Sequence, residues 1–404
     1  MNVVIFSYAF VPLNNAEAFC TTRFANGLKN AGHHVHVVTM KQEGALISQD
    51  IVDELLSADI PITSVEAERK SKLMIFFKML RYRICDPRAA KYHQAIMCLK
   101  DVLTQYENPV LVSRAMPITS NIVAYYCRKE AKLWMAHFSD PFPDKSRTWL
   151  GTVVAILSKQ WGKKIINEAS CVSVTCERVL DFFHYKYQKC FEKNKLKFLV
   201  LPHIGDPFLT SAPFQISQDK PIISYCGGLR PKQYCDELLR EINLLSEMTN
   251  NFLFFLVGIF PGCINSKLKP AINTYIKSDS NFSPRFASYI IEISRVTLVL
   301  DTRMFFNMSA VLPSKFVYYL FTNTPIIIYT DKKSEMYNLM LRYPEAGIFY
   351  ADPMVPGDLA RVMYKVLNEN HACDRTGIRL LFSQQRIIGD FNEKIHRIIS
   401  NRER

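Results

Sequence analysis

The sequence predicts an α/β protein made of two parallel-sheet domains, and three stretches carry that reading. The chain opens with a buried strand, a loop, a one-faced helix and a second strand, the order of a βαβ unit. Near Ile222 the pattern restarts with IISYCGG, a strand running into a glycine pair. Between Leu312 and Thr330, LPSKFVYYLFTNTPIIIYT reads as loop, helix and fully buried strand. At 404 residues the chain is long enough for two ordinary domains, and 49% hydrophobic with 22% charged residues describes a globular protein.

In the first half, Val3 to Phe6 is the first strand and Ser7 to Ala16 its loop. Cys20, Phe24, Leu28 and Ala31 share one helical face, Gly32 ends the helix, and His33 to Thr39 alternates as strand two. His33, His34 and His36 read most simply as loop and strand residues. Asn14, Asn15 and Ala16 lie in this loop, and Asn tolerates positive φ better than other non-glycine side chains. Pro109 to Ser113 is a strand followed by a loop from Arg114 to Thr119. Leu133 to Phe138 is the next strand and leads into HFSDPFPDK. Asp140, before Pro141, is either a turn residue or a group at the ligand-binding end of the sheet. Ala169 to Thr175 is a further strand.

The second half begins with Ile222 to Gly228, where Gly227 and Gly228 let backbone approach a diphosphate. Phe252 to Gly258 and Val296 to Leu300 are further strands. In the central segment Pro313 suits a helix's first turn, and Phe316, Tyr319 and Leu320 form its apolar face. Asn323 is placed to leave in a left-handed turn, and Ile326 to Ile328 is a buried strand. The N–H groups beside Ser314 and Lys315 offer an anion site; the plain alternative is a buried helix–strand pair with a solvated Lys315.

Charge and cysteine use narrow the partners. A net charge of +13 favours anions: phosphates, nucleic acid or an acidic membrane. No zinc-finger spacing or RNA-binding aromatic motif is present, which argues against nucleic acid. Eleven cysteines without paired spacing read as reduced, mostly buried thiols, consistent with a cytoplasmic protein. No run is long and apolar enough to span a membrane, and the start lacks a basic n-region. Ser71 to Ile84, SKLMIFFKMLRYRI, mixes Phe and Leu with Lys and Arg; it reads as an interfacial membrane helix or as a surface helix packed on its own domain. Phe182 to Phe198, with five lysines, reads as a second basic–aromatic stretch or as a solvated linker.

PSKFVYYLFTNTPIII and the opening FSYAFVPLNNAEAFCTTRFANGLKNAGHHVHVVT resemble segments of family 4 glycosyltransferases, and WMAHFSDPF resembles the Asp-Phe-Arg-Asp-Pro-Trp signature of one of their branches. The resemblance runs along nearly the whole chain. It implies the GT-B fold, two Rossmann-like domains facing across a cleft. Residues 1–205 would bind the acceptor, residues 206–385 the nucleotide-sugar, and residues 386–404 would return as a helix to the first domain. It further implies a retaining glycosyltransferase of the bacterial polysaccharide or lipopolysaccharide type with a lipid-linked or polysaccharide acceptor; the net charge and the stretch Ser71 to Ile84 add the expectation of a peripheral position on the inner face of the membrane. Gly227, Gly228, Arg230, Lys232, Ser314, Lys315 and Tyr318 would hold the donor. Asn14, Asn15 and Ala16 would meet phosphate or acceptor, and Asp140 or His137 would take the acceptor's proton. No metal is expected, since no Asp-x-Asp motif is present. The family's Glu-x7-Glu falls on Ala310 and Tyr318, which admits an alternative: a GT-B scaffold without catalysis, acting as a membrane-associated partner in glycan assembly.

Overall fold

The computed structural model describes the chain except residues 42–43, 45, 58, 67–70, 85, 116, 143–148, 206–219, 230–231, 259–266, 270–271, 273, 279–282, 302–309 and 403–404, and except the side chains of 149–155, 232–235, 275–278 and 402. It divides into two compact units. The first holds Met1–Ile204, Gln384–Arg404 and, of the described residues between them, Ala310 and Val311; the second holds the rest, from Gly205 to Ser383.

The first unit is a seven-stranded sheet whose adjacent strands all pair in parallel. Its strands are β1 (Asn2–Ser7), β2 (His34–Met40), β3 (Ile62–Val65), β4 (Val110–Ala115), β5 (Leu133–Phe138), β6 (Cys171–Val174) and β7 (Phe198–Val200), in spatial order 3-2-1-4-5-6-7. Its helices are α1 (Ala16–Asn30), α2 (Gln49–Leu55), α3 (Lys72–Tyr82), α4 (Tyr92–Leu103), α5 (Thr119–Cys127), α6 (Trp149–Glu168) and α7 (Glu177–Asn194). The strand order reverses between β1 and β4. The crevice outside the carboxyl ends of those two strands is where open α/β sheets bind ligands.

Three local expectations change here. Asn15 is extended and caps α1, its Oδ1 accepting from Ala18 N at 2.8 Å; neither Asn14 nor Asn15 has positive φ. The capping bond satisfies an orphan N–H of the first turn, so this loop closes without a left-handed residue. The stretch from Phe182 is no linker. It belongs to α7, whose Phe182, Phe183, Tyr187 and Phe191 are buried while Lys189 and Lys193 are exposed and Lys186 is half-buried, and β7 follows. Arg114 lies inside β4, not in a loop after it.

The last helix, α14 (Gln384–Arg402), packs on α1. The Phe24 and Phe391 rings meet edge-on at 5.6 Å, and His33 Nε2 lies 2.8 Å from Asn392 Oδ1.

The second unit is a six-stranded parallel sheet of β8 (Ile222–Cys226), β9 (Leu253–Gly258), β10 (Thr274–Ser278), β11 (Val296–Asp301), β12 (Ile326–Thr330) and β13 (Ile348–Ala351), in spatial order 10-9-8-11-12-13. Its helices are α8 (Lys232–Met248), α9 (Pro284–Ile293), α10 (Ser314–Tyr319), α11 (Glu335–Arg342), α12 (Asp358–Asn368) and α13 (Thr376–Leu381). The reversal falls between β8 and β11, which places the glycines after β8 at the second crevice. Buried Glu241 of α8 accepts from Gly357 N and Ala360 N at 3.2 Å, satisfying orphan donors at the start of α12.

Candidate functional site

At the end of β8 the backbone turns through Gly227, with φ +130°. Gly258, at the end of β9, has φ +142°, and a Cβ added there would overlap the Gly227 carbonyl. Only glycine serves at this crossing, because the contact is backbone on backbone. Lys315 reaches the same turn from α10. Its Nζ donates to Tyr225 Oη at 2.6 Å and lies 4.1 Å from the centre of that ring. Tyr225 Oη in turn donates to Gly228 O at 3.1 Å, and a Cβ on Gly227 would come within 3.1 Å of Lys315 Nζ. The buried tyrosine thus fixes a half-buried ammonium beside the exposed Gly228. Burial pushes the neighbouring Cys226 thiol up to about 12 despite the nearby ammonium of Lys315, so it stays protonated and inert.

Helix α10 is shorter than the sequence pattern predicts. It ends at Tyr319, and Asn323 is not left-handed. The carbonyls that follow are gathered by two arginines rather than by a left-handed cap. Arg375 donates to Tyr319 O, Thr322 O, Thr324 O and Ala346 O at 2.7–2.9 Å, and Arg379 donates to Leu320 O and Thr322 O. Six residues carry a small macrodipole, so the Lys315 ammonium, not the helix terminus at Ser314, is the main positive charge described at this turn.

Of the other residues expected to hold a donor, Arg230 lies outside the described residues. Lys232 is the first residue of α8, and its side chain is also outside them. The Tyr318 hydroxyl meets Ser288 Oγ at 2.7 Å; because Ser288 donates its one proton to Pro284 O, the Tyr318 proton is engaged there. Ala310 is fully buried.

In the first unit, Ser7 of β1 and Arg114 of β4 lie side by side at the strand-order reversal. Arg114 is buried. Its Nε donates to Thr21 Oγ1 at 3.2 Å, lies 3.8 Å from Glu17 Oε1, and its guanidinium covers the Phe24 ring at 5.1 Å. Burial raises the Glu17 carboxyl above the usual range; Arg114 opposes that shift, and the negative charge of Asp140 adds to it.

The Asp140 loop is held at both ends. Thr175 Oγ1 donates to Ser139 O at 3.0 Å, and Tyr187 Oη donates to Phe142 O at 2.9 Å.

His137 does not face a substrate as expected. It is 1% exposed, its Nδ1 shares a bond with Ser173 Oγ at 3.0 Å, and its Nε2 is buried. Burial, with Arg114 and His203 nearby, holds it well below the usual histidine range, so it stays neutral. The sequence reading missed Glu17 and Arg114. A carboxylate in the first turn of the first helix, where the dipole favours it, was the available signal.

Among the described residues, no group of three or more His, Cys, Asp or Glu side chains is arranged to hold a metal ion. No family model matches the sequence, and no curated protein is similar to it by sequence. Solved structures are similar in fold. A point mutant of TarM from S. aureus, in complex with fondaparinux, alpha-GlcNAc-glycerol and UDP, aligns with a TM-score of 0.63 at 10% identity over 98% of this chain and 99% of its own. A glycosyltransferase from Rickettsia africae ESF-5 aligns at 0.62 and 13% over 99% of both chains. The catalytic domain of starch synthase IV from Arabidopsis thaliana, bound to ADP and acarbose, aligns at 0.65 and 10% over 99% of both. The chain thus has the GT-B fold, the α/β architecture of these glycosyltransferases.

Proposed function

We propose that the protein is a retaining glycosyltransferase that moves a sugar from a nucleotide diphosphate donor to a lipid-linked or cell-surface polysaccharide acceptor at the cytoplasmic face of a membrane. The observation that carries this is the Lys315 ammonium, braced by Tyr225 beside Gly227 and Gly228 at the strand-order reversal of the second unit. Backbone that can be approached closely, next to a fixed cation, suits a diphosphate. UDP and ADP occur with two proteins of this fold.

In this reading the leaving diphosphate gains negative charge as the anomeric carbon becomes oxocarbenium-like. Cations placed in advance stabilise that transition state more than the ground state. Lys315 supplies one charge, and Arg230 and Lys232 supply the others, so that no metal is required. Asp140 takes the acceptor proton. A second reading, a scaffold without catalysis, draws on the engaged Tyr318 hydroxyl and on buried Ala310, where the resembling family carries carboxylates.

Calorimetric titration with UDP, ADP and GDP, followed by turnover on nucleotide-sugars, tests the proposal. Lys315→Met is expected to weaken nucleotide binding by about 10- to 100-fold, the worth of a charged hydrogen bond. Arg230→Ala is expected to lower turnover by about 10². Asp140→Asn is expected to lower turnover with nucleotide affinity kept. If no nucleotide binds the wild-type protein at millimolar concentration, the scaffold reading replaces this one.

A further inference from the structure

Helix α3 presents its most apolar stripe to solvent. Leu73, Phe76, Phe77 and Leu80 recur at i, i+3, i+4 and i+7 and so share one face, with exposures of 65%, 54%, 56% and 58%. The opposite side holds half-buried Ile75 and Met79, and Tyr82 is the only fully buried residue of the helix. Lys72 and Arg81, both exposed, lie along the two edges of the stripe and exposed Arg83 follows the helix, while half-buried Lys78 lies on the Ile75 side; none of the four joins an ion pair among the described residues. The helix contains no acidic residue.

The mount is firm although the stripe is unpacked. Tyr82 lies among Tyr92, Tyr126 and, through its carbonyl, Trp161, whose Nε1 donates to it at 2.9 Å. At the other end Ser71 caps the helix through Met74 N. Arg83 turns the chain out of the helix with φ 49°, while its N–H and that of Ile84 donate to Leu80 O and Met79 O at 3.0 Å.

From this arrangement we infer that α3 is a pre-formed, in-plane anchor for an anionic lipid surface. The four apolar side chains enter the acyl boundary, and the basic residues beside them meet phosphate head groups. Charge decides between lipid and a second copy of the chain. Two copies would bring six basic side chains together with no acidic partner on the helix, whereas an anionic bilayer neutralises them. Among the described residues no helix is long and apolar enough to cross a membrane. The inference rests on the proposed glycosyl transfer only for its purpose, which is to bring the site to a lipid-linked acceptor.

Flotation with vesicles, in the absence of donor and acceptor, tests the anchor independently of turnover. Wild-type protein is expected to float with phosphatidylcholine–phosphatidylglycerol vesicles and much less with phosphatidylcholine alone. Phe76→Ser with Phe77→Ser is expected to lower binding by roughly tenfold or more. Lys72→Glu with Arg81→Glu is expected to remove the preference for anionic lipid and its sensitivity to salt. Because the stripe is solvent-exposed, both variants should melt with the wild type, which a thermal scan checks. Circular dichroism should show no gain of helix on binding; a gain would overturn the pre-formed anchor. Wild-type protein that ignores anionic vesicles, variants that bind unchanged, or a dimer dispersed by the Phe76 and Phe77 changes without any vesicle binding would each overturn the inference.

Discussion

Adding one methyl group at the glycine crossing of the second unit should be costly, and the size of the cost follows from which atoms meet. An alanine Cβ at residue 258 would overlap the oxygen, carbon and Cα of Gly227, all of them backbone. No rotamer change relieves such a clash, so β8 and β9 must shift apart. Overpacking of this kind costs about 1–3 kcal/mol. Holding alanine at φ +142° adds strain of about 1–3 kcal/mol. The sum is about 2–6 kcal/mol, or roughly 5–20 °C in the melting of a unit of this size. Gly389→Ala in α14 is the control, since nothing lies within 4 Å of its added Cβ. There alanine should stabilise by about 0.4–1 kcal/mol, through helix propensity and a less flexible unfolded chain. Differential scanning calorimetry reads both variants, and the two units can melt separately. Gly258→Ala should also lose nucleotide binding, because the Gly227 carbonyl it displaces belongs to the turn beside Lys315. A Gly258→Ala protein that melts with the wild type, or a Gly389→Ala protein that melts well below it, would refute this reasoning.

Two further outcomes are expected. Arg375→Ala should cost at least ~3 kcal/mol, because four carbonyls each lose a charged donor and only Tyr319 O and Thr322 O keep another, from Thr322 and Arg379; Arg375→Lys should restore only part of it, lacking the planar fork, and urea unfolding measures both. The buried histidines should make the protein acid-sensitive. His137 and His203 are held below the usual range by burial, His203 to about 3, whereas the unfolded chain protonates near the ordinary value of about 6.5. Between these values the unfolded state binds more protons, so stability is full above about pH 6.5 and falls as pH drops, by up to ~1.4 kcal/mol per unit for each group. His203→Gln should shallow that slope between pH 6.5 and 5 in urea titrations; an unchanged slope would assign the loss to other groups.

Much of the architecture was legible in the sequence because periodicity and glycine placement are local properties. The βαβ opening, the strand ending at Gly227 and the Ile326–Ile328 strand each announce themselves within about forty residues or fewer. The amphipathic character of α3 was equally plain. Which of its faces would be covered was not, because that depends on Tyr82 finding Tyr92, Tyr126 and Trp161. The site was decided by tertiary contact. Lys315 matters through Tyr225, ninety positions earlier, and the end of α10 through Arg375 and Arg379, more than fifty later. Glu17 and Arg114 become a pair only when β1 and β4 lie side by side, and His137 loses its candidacy only when burial in the packed sheet is seen. Burial and charge pairing are sums over neighbours brought together by folding. A linear pattern can indicate which residues carry chemistry, but the desolvation and the partners that set their chemistry arise in three dimensions.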